Sequence, residues 1–326
     1  MQLTHTPDHV QSKRLKELTR DNLISSLKYV LYVCDDVLDK NTYFKVEEFI
    51  SLAESKKYSS GFLFYAVKEI CKGIERQELD RIKNCFSLIA KLELDKNEKV
   101  IIGRKDNLPE GVFDFFSKTN DDVYSFQYID VMAEYDDLIK VGLDEAFSLI
   151  LDVDPELYLE IQEIVDEFFV FNANENNGHI VYSGSDFNKL GTVFINKETC
   201  VKDLYFLVDK IIHESAHQVL LSIMTIDEIV LNQDNERFPS PLRTGLRTMN
   251  GIYHAAFVLY RIACFFSRAL KLNPSNARAL YHLNMSVEQF KDCYDVISNN
   301  GQLTPLGITL IKNCNAEIEA ILDEVH

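Results

Sequence analysis

The chain has 326 residues, enough for one large domain or two ordinary ones, and its 46% hydrophobic and 26% charged content is the profile of a soluble globular protein. Lys and Arg total 34 against 51 Asp and Glu, a formal charge of −17, which argues against a nucleic-acid or anionic-membrane partner because phosphates would repel such a surface. The seven cysteines are odd in number and form no CxxC pair, no basic-then-apolar leader opens the sequence, and no uncharged apolar run approaches the roughly 20 residues of a membrane span, so the expectation is a cytoplasmic chain with reduced thiols.

Residues 9–95 carry apolar side chains at helical spacing and almost no glycine, which predicts a helical N-terminal part serving as scaffold or as a leader- or partner-binding bundle. From Lys99 to Gly103 the pattern predicts a short strand, and a turn follows around Pro109. A boundary is expected near residue 130, dividing a helical region (1–130) from a second domain (131–326). Between Val131 and Val170 there are twelve acids and one lysine on a helical pattern, a solvated face or a surface for a basic peptide. Three strand-like runs follow, Phe168–Phe171, His179–Tyr182 and Gly191–Ile195, separated by polar turns. They predict a small antiparallel sheet whose edge could pair with an extended peptide or simply cap the next helix.

That helix, expected over 201–223, contains His213, Glu214 and His217 as H-E-x-x-H. Residues i and i+4 lie on one helical face, so the two imidazoles can grip one metal ion while Glu214 reaches a water or ligand on it. A buried amphipathic helix with two partly exposed histidines is the plain alternative. A catalytic metal usually needs a third protein ligand. The continuation with a third histidine six residues on is absent, since Gln218 to Ile223 contains none. The next long helix, expected at about 246–271, has no acid and, apart from Cys264, one metal-capable residue, His254. Three imidazoles suit zinc or iron, with Asp234 and Glu236 of the preceding loop as the fallback. Arg247 lies seven residues before His254 and Arg261 seven after, about 10.5 Å of helical rise each way. Arg247, with Arg243 one turn earlier, could bind bidentately a carboxylate whose other end chelates the metal, something an oxygenase using 2-oxoglutarate needs and a peptidase needs less.

Three stretches together carry a family resemblance: Ser183 to Ile195, Ile212 to His217, and Ser240 to Arg261 with Arg243, Arg247, Gly251 and His254 at its landmarks. They resemble the HExxH-containing peptide-modification proteins of bacterial ribosomal-peptide pathways, 2-oxoglutarate-dependent peptide β-hydroxylases, over roughly residues 180–265. Leu242 and Thr248 stand where that pattern often has Trp and Pro. The resemblance implies a zincin-like scaffold holding Fe(II) through His213, His217 and His254, with Arg247 or Arg243 anchoring 2-oxoglutarate and Glu214 as a hydrogen-bonding acid. It further implies O2 as co-substrate, a precursor peptide as partner, and hydroxylation at Cβ of one of its residues, the peptide being held along Gly191–Ile195.

The expected fold is therefore mainly α (α+β), with a helical N-terminal part and a zincin-like catalytic part. Two other readings stay open. In a zinc metallopeptidase Glu214 would be the general base toward a zinc-activated water. In a non-catalytic peptide-binding module the acidic surface would do the work and the metal would be structural.

Overall fold

The computed structural model describes residues 3–94, 99–117, 128–173, 180–240 and 245–325. Within them the chain runs α1 (His9–Val33), α2 (Lys40–Ser55), α3 (Gly61–Arg76), α4 (Leu79–Ile89), β1 (Val100–Ile102), α5 (Val112–Phe116), β2 (Tyr128–Ile129), α6 (Asp136–Val153), α7 (Pro155–Ile164), β3 (Glu167–Ala173), β4 (Ser183–Gly184) and β5 (Thr192–Asn196). It continues through α8 (Lys197–Lys202), α9 (Leu204–Met224), β6 (Phe238–Pro239), β7 (Leu246–Arg247), α10 (Met249–Leu272), α11 (Ala277–Asn300) and α12 (Pro305–Val325). The protein is mainly helical with a small sheet, as its periodicity predicts. Among the described residues no helix is long and apolar enough to cross a membrane.

The chain forms two compact units, each discontinuous in sequence: Lys16–Val141 with Val165–Val201, and Met1–Leu15 with Gly142–Ile164 and Lys202–His326. The single boundary expected near residue 130 coincides with none of these crossings. Composition drifts there, but β3 and β5 pair with β1 and so join the first unit.

In the unit built around Lys16–Val141, helices α1 to α5 share one apolar core with the sheet. Leu27, Val46, Leu63, Ala66, Ile70, Phe86 and Ile89 are buried to 0% exposure and pack with Phe169, Phe171 and Phe194 of the strands. A fully buried side chain of this size stabilises by roughly 1.5–3 kcal/mol, so the cluster dominates the unit's energetics. The helices start where the sequence supplies caps: the Asp39 side chain accepts from Thr42 N and Ser60 from Leu63 N. Gly61, opening α3, lets the helix approach β5 closely, since a Cβ there would stand 2.0 Å from Thr192 Oγ1.

The sheet corrects the antiparallel expectation. β3 lies between β1 and β5 and is parallel to both, with Val100 opposite Phe168 and Phe168 opposite Val193; only the two-residue β2 and β4 run antiparallel to their neighbours. Parallel neighbours need long crossovers, and the β1–β3 connection supplies one with α5, α6 and α7. Such strands are covered on both faces and read as continuous apolar runs instead of alternating ones. Phe168 to Phe171 and Val193 to Ile195 are such runs, every residue buried. Of the run expected at 179–182, His179 lies outside the described residues, and the strand falls at Ser183–Gly184. Because β4 covers β5 at Phe194 and Ile195 while β3 covers its other side, β5 is an inner strand, and the expected open edge at those positions is not there.

At the N-terminal ends of β3 and β5 sits a buried polar cluster. Asp166 pairs with Lys16 and accepts from Ser59 Oγ at 3.1 Å, while Thr192 Oγ1 donates to Glu167 Oε1 at 2.6 Å. Burial pushes the Glu167 carboxyl up to about 7, against the hydrogen bond from Thr192.

The other unit is helical, with the small β6–β7 hairpin. α9 is buried on nearly every side, with Val208, Ile211, Ile212, Val219, Leu220 and Ile223 all at 0% exposure, the signature of a helix at the centre of a bundle. The helix expected over 201–223 is in fact two, because Asp203 ends α8 and caps α9 by accepting from Phe206 N at 2.9 Å. α10 meets α12 where Tyr253 Oη donates to Gly307 O at 2.9 Å. α10 is tied to α7 by the buried pair Arg261–Glu160, whose side chains are 1% and 2% exposed. Glu160 also accepts from Asp8 N at 3.0 Å, so the N-terminal segment closes over the pair.

Candidate metal centre

Helical spacing decides where the motif points. His213 and His217 stand one turn apart on α9, half-buried, and their Nε2 atoms lie 3.2 Å apart. Two nitrogens bound to one ion at roughly 2.0–2.1 Å would be about 2.8–3.4 Å apart for right-angled to tetrahedral geometry. The spacing of the pair therefore matches that of two ligands on a single ion. Glu214, 4% exposed, brings a carboxylate oxygen to the same place: ligand atoms of His213, Glu214 and His217 all lie within 4.8 Å of one another.

His254 reaches this group by a different nitrogen. Its Nδ1 is 3.0 Å from His217 Nδ1, and the two rings stack with centroids 5.2 Å apart. His217 thus presents its whole N–C–N edge, Nε2 toward His213 and Nδ1 toward His254. The Nε2 of His254 rests 3.2 Å from Met224 Sδ. The structure accordingly brings all three sequence-predicted histidines together, but the atoms converging on one point are those of His213, Glu214 and His217.

Two of the three imidazoles are held in the form a metal requires. Burial, then the neighbouring His213, His254 and Arg247, push His217 well below its ordinary value, and burial brings His254 down to about 4. Both are neutral at physiological pH, with a lone pair to offer. One turn before His254, Asn250 Oδ1 is buried with no hydrogen-bond partner, an acceptor that a bound group with a donor would satisfy.

Arg247 is where the sequence reading needs correction. Thr248 caps α10, its Oγ1 accepting from Gly251 N at 3.2 Å, so the helix begins at Met249 and not near 246. Arg247 belongs to β7, opposite Phe238 of β6. The two-turn stripe from Arg247 to His254 therefore does not exist. Arg247 nevertheless stays near the site, close enough for its charge to act on His217, with its Cδ lying 3.9 Å from the position of a Cβ on Gly251. Arg261, on the same helix as His254, is 2% exposed and spent on Glu160. Arg243 lies outside the described residues. The fallback acids remain on the loop, where Glu236 Oε2 accepts from Asn232 Nδ2 at 2.9 Å.

One neighbour of the site escaped the sequence reading. Asp209 stands one turn before His213 on α9, 8% exposed, its Oδ2 3.0 Å from His282 Nδ1 of α11. The i, i+4 spacing of Asp209, His213 and His217 was visible, but His282 lies 73 residues away and has no local signal.

No protein-family model matches the chain, and no curated protein sequence matches it.

Proposed function

We propose that the chain is an Fe(II)- and 2-oxoglutarate-dependent oxygenase, zincin-like in its metal-binding part, that hydroxylates Cβ of a residue in a ribosomally made precursor peptide. The observation that supports this most is the meeting of His213 and His217, with Nε2 atoms 3.2 Å apart, while Arg247 lies near enough for its charge to act on His217. His213 and His217, with His254 as the third, would hold iron. Iron, when bound, would supply the redox chemistry that turns a C–H bond, O2 and 2-oxoglutarate into an alcohol, succinate and CO2. Arg247 would bind the far carboxylate of 2-oxoglutarate, and Glu214 would hydrogen-bond to a ligand in the remaining space. A metallopeptidase has less need of a guanidinium beside its histidines, because its zinc already polarises the scissile carbonyl.

The purified chain, stripped of metal, would be given Fe(II) or Zn(II) anaerobically and then 2-oxoglutarate and O2, with succinate as the readout. Succinate with iron alone is expected. Arg247→Ala should raise the 2-oxoglutarate concentration needed for half-saturation by roughly 10-fold or more while leaving metal affinity within a few-fold of wild type. Glu214 lies within reach of both histidines, as the general base of a zinc peptidase would, and that second reading gains if zinc-dependent peptide cleavage appears without succinate.

A further inference from the structure

The buried pair of Asp209 and His282 has no part in the metal set described above. Asp209 lies on α9 and His282 on α11, with Oδ2 and Nδ1 3.0 Å apart. Lys210 Nζ donates to the other oxygen, Oδ1, at 2.8 Å. The imidazole of His282 is itself fixed, stacked on Phe266 of α10 with centroids 4.7 Å apart and planes 18° off parallel. Three helices thus set the position of one carboxylate, whose side chain is 12% exposed. A buried polar pair of this kind is a poor source of stability, since well-packed apolar residues do as well or better. Its place on the helix is therefore informative.

Side chains on a helix lean toward its N-terminus, so the ring of His213 leans over the turn that carries Asp209, with Cβ atoms about 5–6 Å apart at this spacing. His213 turns its Nε2 toward His217. If that nitrogen is the metal-binding one, the imidazole proton sits on Nδ1. Metal-binding histidines commonly donate that second N–H to a carboxylate, which fixes the tautomer and raises the basicity of the ligating nitrogen.

We propose that Asp209, held in place by His282, is the positioning residue that accepts the Nδ1 proton of His213 and sets its Nε2 lone pair toward the metal. The inference rests on the metal set proposed for this protein and adds a carboxylate beside its histidines. Both oxygens of Asp209 are already anchored, Oδ2 by His282 and Oδ1 by Lys210, so the carboxylate is fixed before any metal arrives.

The test is an anaerobic titration of the full-length chain with Co(II), followed by its visible absorption, in wild type, Asp209→Asn, Asp209→Glu and His282→Asn. Loss of an outer carboxylate typically costs 10–100-fold in metal affinity. Asp209→Asn should weaken Co(II) binding by roughly 10-fold or more and shift the ligand-field bands, Asp209→Glu should restore part of the affinity, and His282→Asn should fall between wild type and Asp209→Asn. Thermal unfolding of the metal-free proteins checks that each variant is folded. Should Asp209→Asn prove unfolded, His282→Asn carries the test, because a freed carboxylate still alters affinity and spectrum. Wild-type affinity and an unchanged spectrum in the folded variants would overturn the role of Asp209 while leaving the metal set standing. A wild-type chain that takes up no Co(II), Fe(II) or Zn(II) would overturn both.

Discussion

His213 Nε2 and His217 Nε2 lie 3.2 Å apart on α9, and the other ring nitrogen of His217 lies 3.0 Å from His254 Nδ1. A neutral imidazole has one N–H, so His217 can donate through one of these contacts and accept through the other. The chain of three rings is consequently satisfied without a metal, and loading replaces ring-to-ring hydrogen bonds with ligand bonds.

The histidines should separate by rank. His213→Ala and His217→Ala should each lower affinity for Fe(II) or Co(II) by roughly 100-fold or more, since each removes one of two converging nitrogens. His254→Ala should cost roughly 10–100-fold if it supplies the third nitrogen. Equilibrium dialysis against each metal would show this, and a His254→Ala protein within twofold of wild type would remove His254 from the set.

Glu167 gives a pH dependence whose sign is opposite to that of a paired carboxylate. Its folded value is about 7, against roughly 4.3 in an unfolded chain, so the folded state binds more protons between those limits. The stability due to the protonated group is complete below about pH 4 and is lost as pH rises through 7. Urea unfolding of wild type and Glu167→Gln should converge toward acid pH, and by pH 8 the balance should have moved in favour of Glu167→Gln by about 3–4 kcal/mol. A difference that does not change between pH 4.5 and 8 would show that Glu167 ionises normally.

Arg261 and Glu160 should behave as a buried pair. Arg261→Met leaves the Glu160 carboxylate buried without its counter-charge and should destabilise the protein by about 3–5 kcal/mol. Arg261→Met combined with Glu160→Leu should recover most of that loss, because the burial cost of both charges disappears together. Chemical denaturation of the two single variants and the double variant measures the coupling. Additive losses would mean that the pair is not acting as a unit.

Much of this protein is legible locally. The helical N-terminal run, the H-E-x-x-H face of α9, and α11 and α12 follow from apolar spacing over one to several turns, a property of contiguous residues. The caps at Asp203, Thr248 and Asn276 are likewise short-range, each a side chain accepting from a backbone N–H three residues on. They also explain why α9 and α10 start later than their apolar pattern suggests.

What the tertiary structure decided depends on partners far apart in the chain. The direction of β3 against β1 and β5 is set by crossovers and by cover on both faces, and an apolar run of four residues does not state its direction. Arg261 and Arg247 have the same residue type and the same spacing from His254, yet one is buried against Glu160 from 101 residues away and the other acts on His217 from a strand. His254 could be nominated from its isolation on an acid-free helix, but which of its nitrogens faces His217 is a matter of ring orientation. The sequence alone determined which chemical groups were available at one helical face, because the helix period places them there. Only the packing of α9 against α10 and α11 determined which of those groups meet, because side-chain direction and burial are set by the neighbours that distant segments bring.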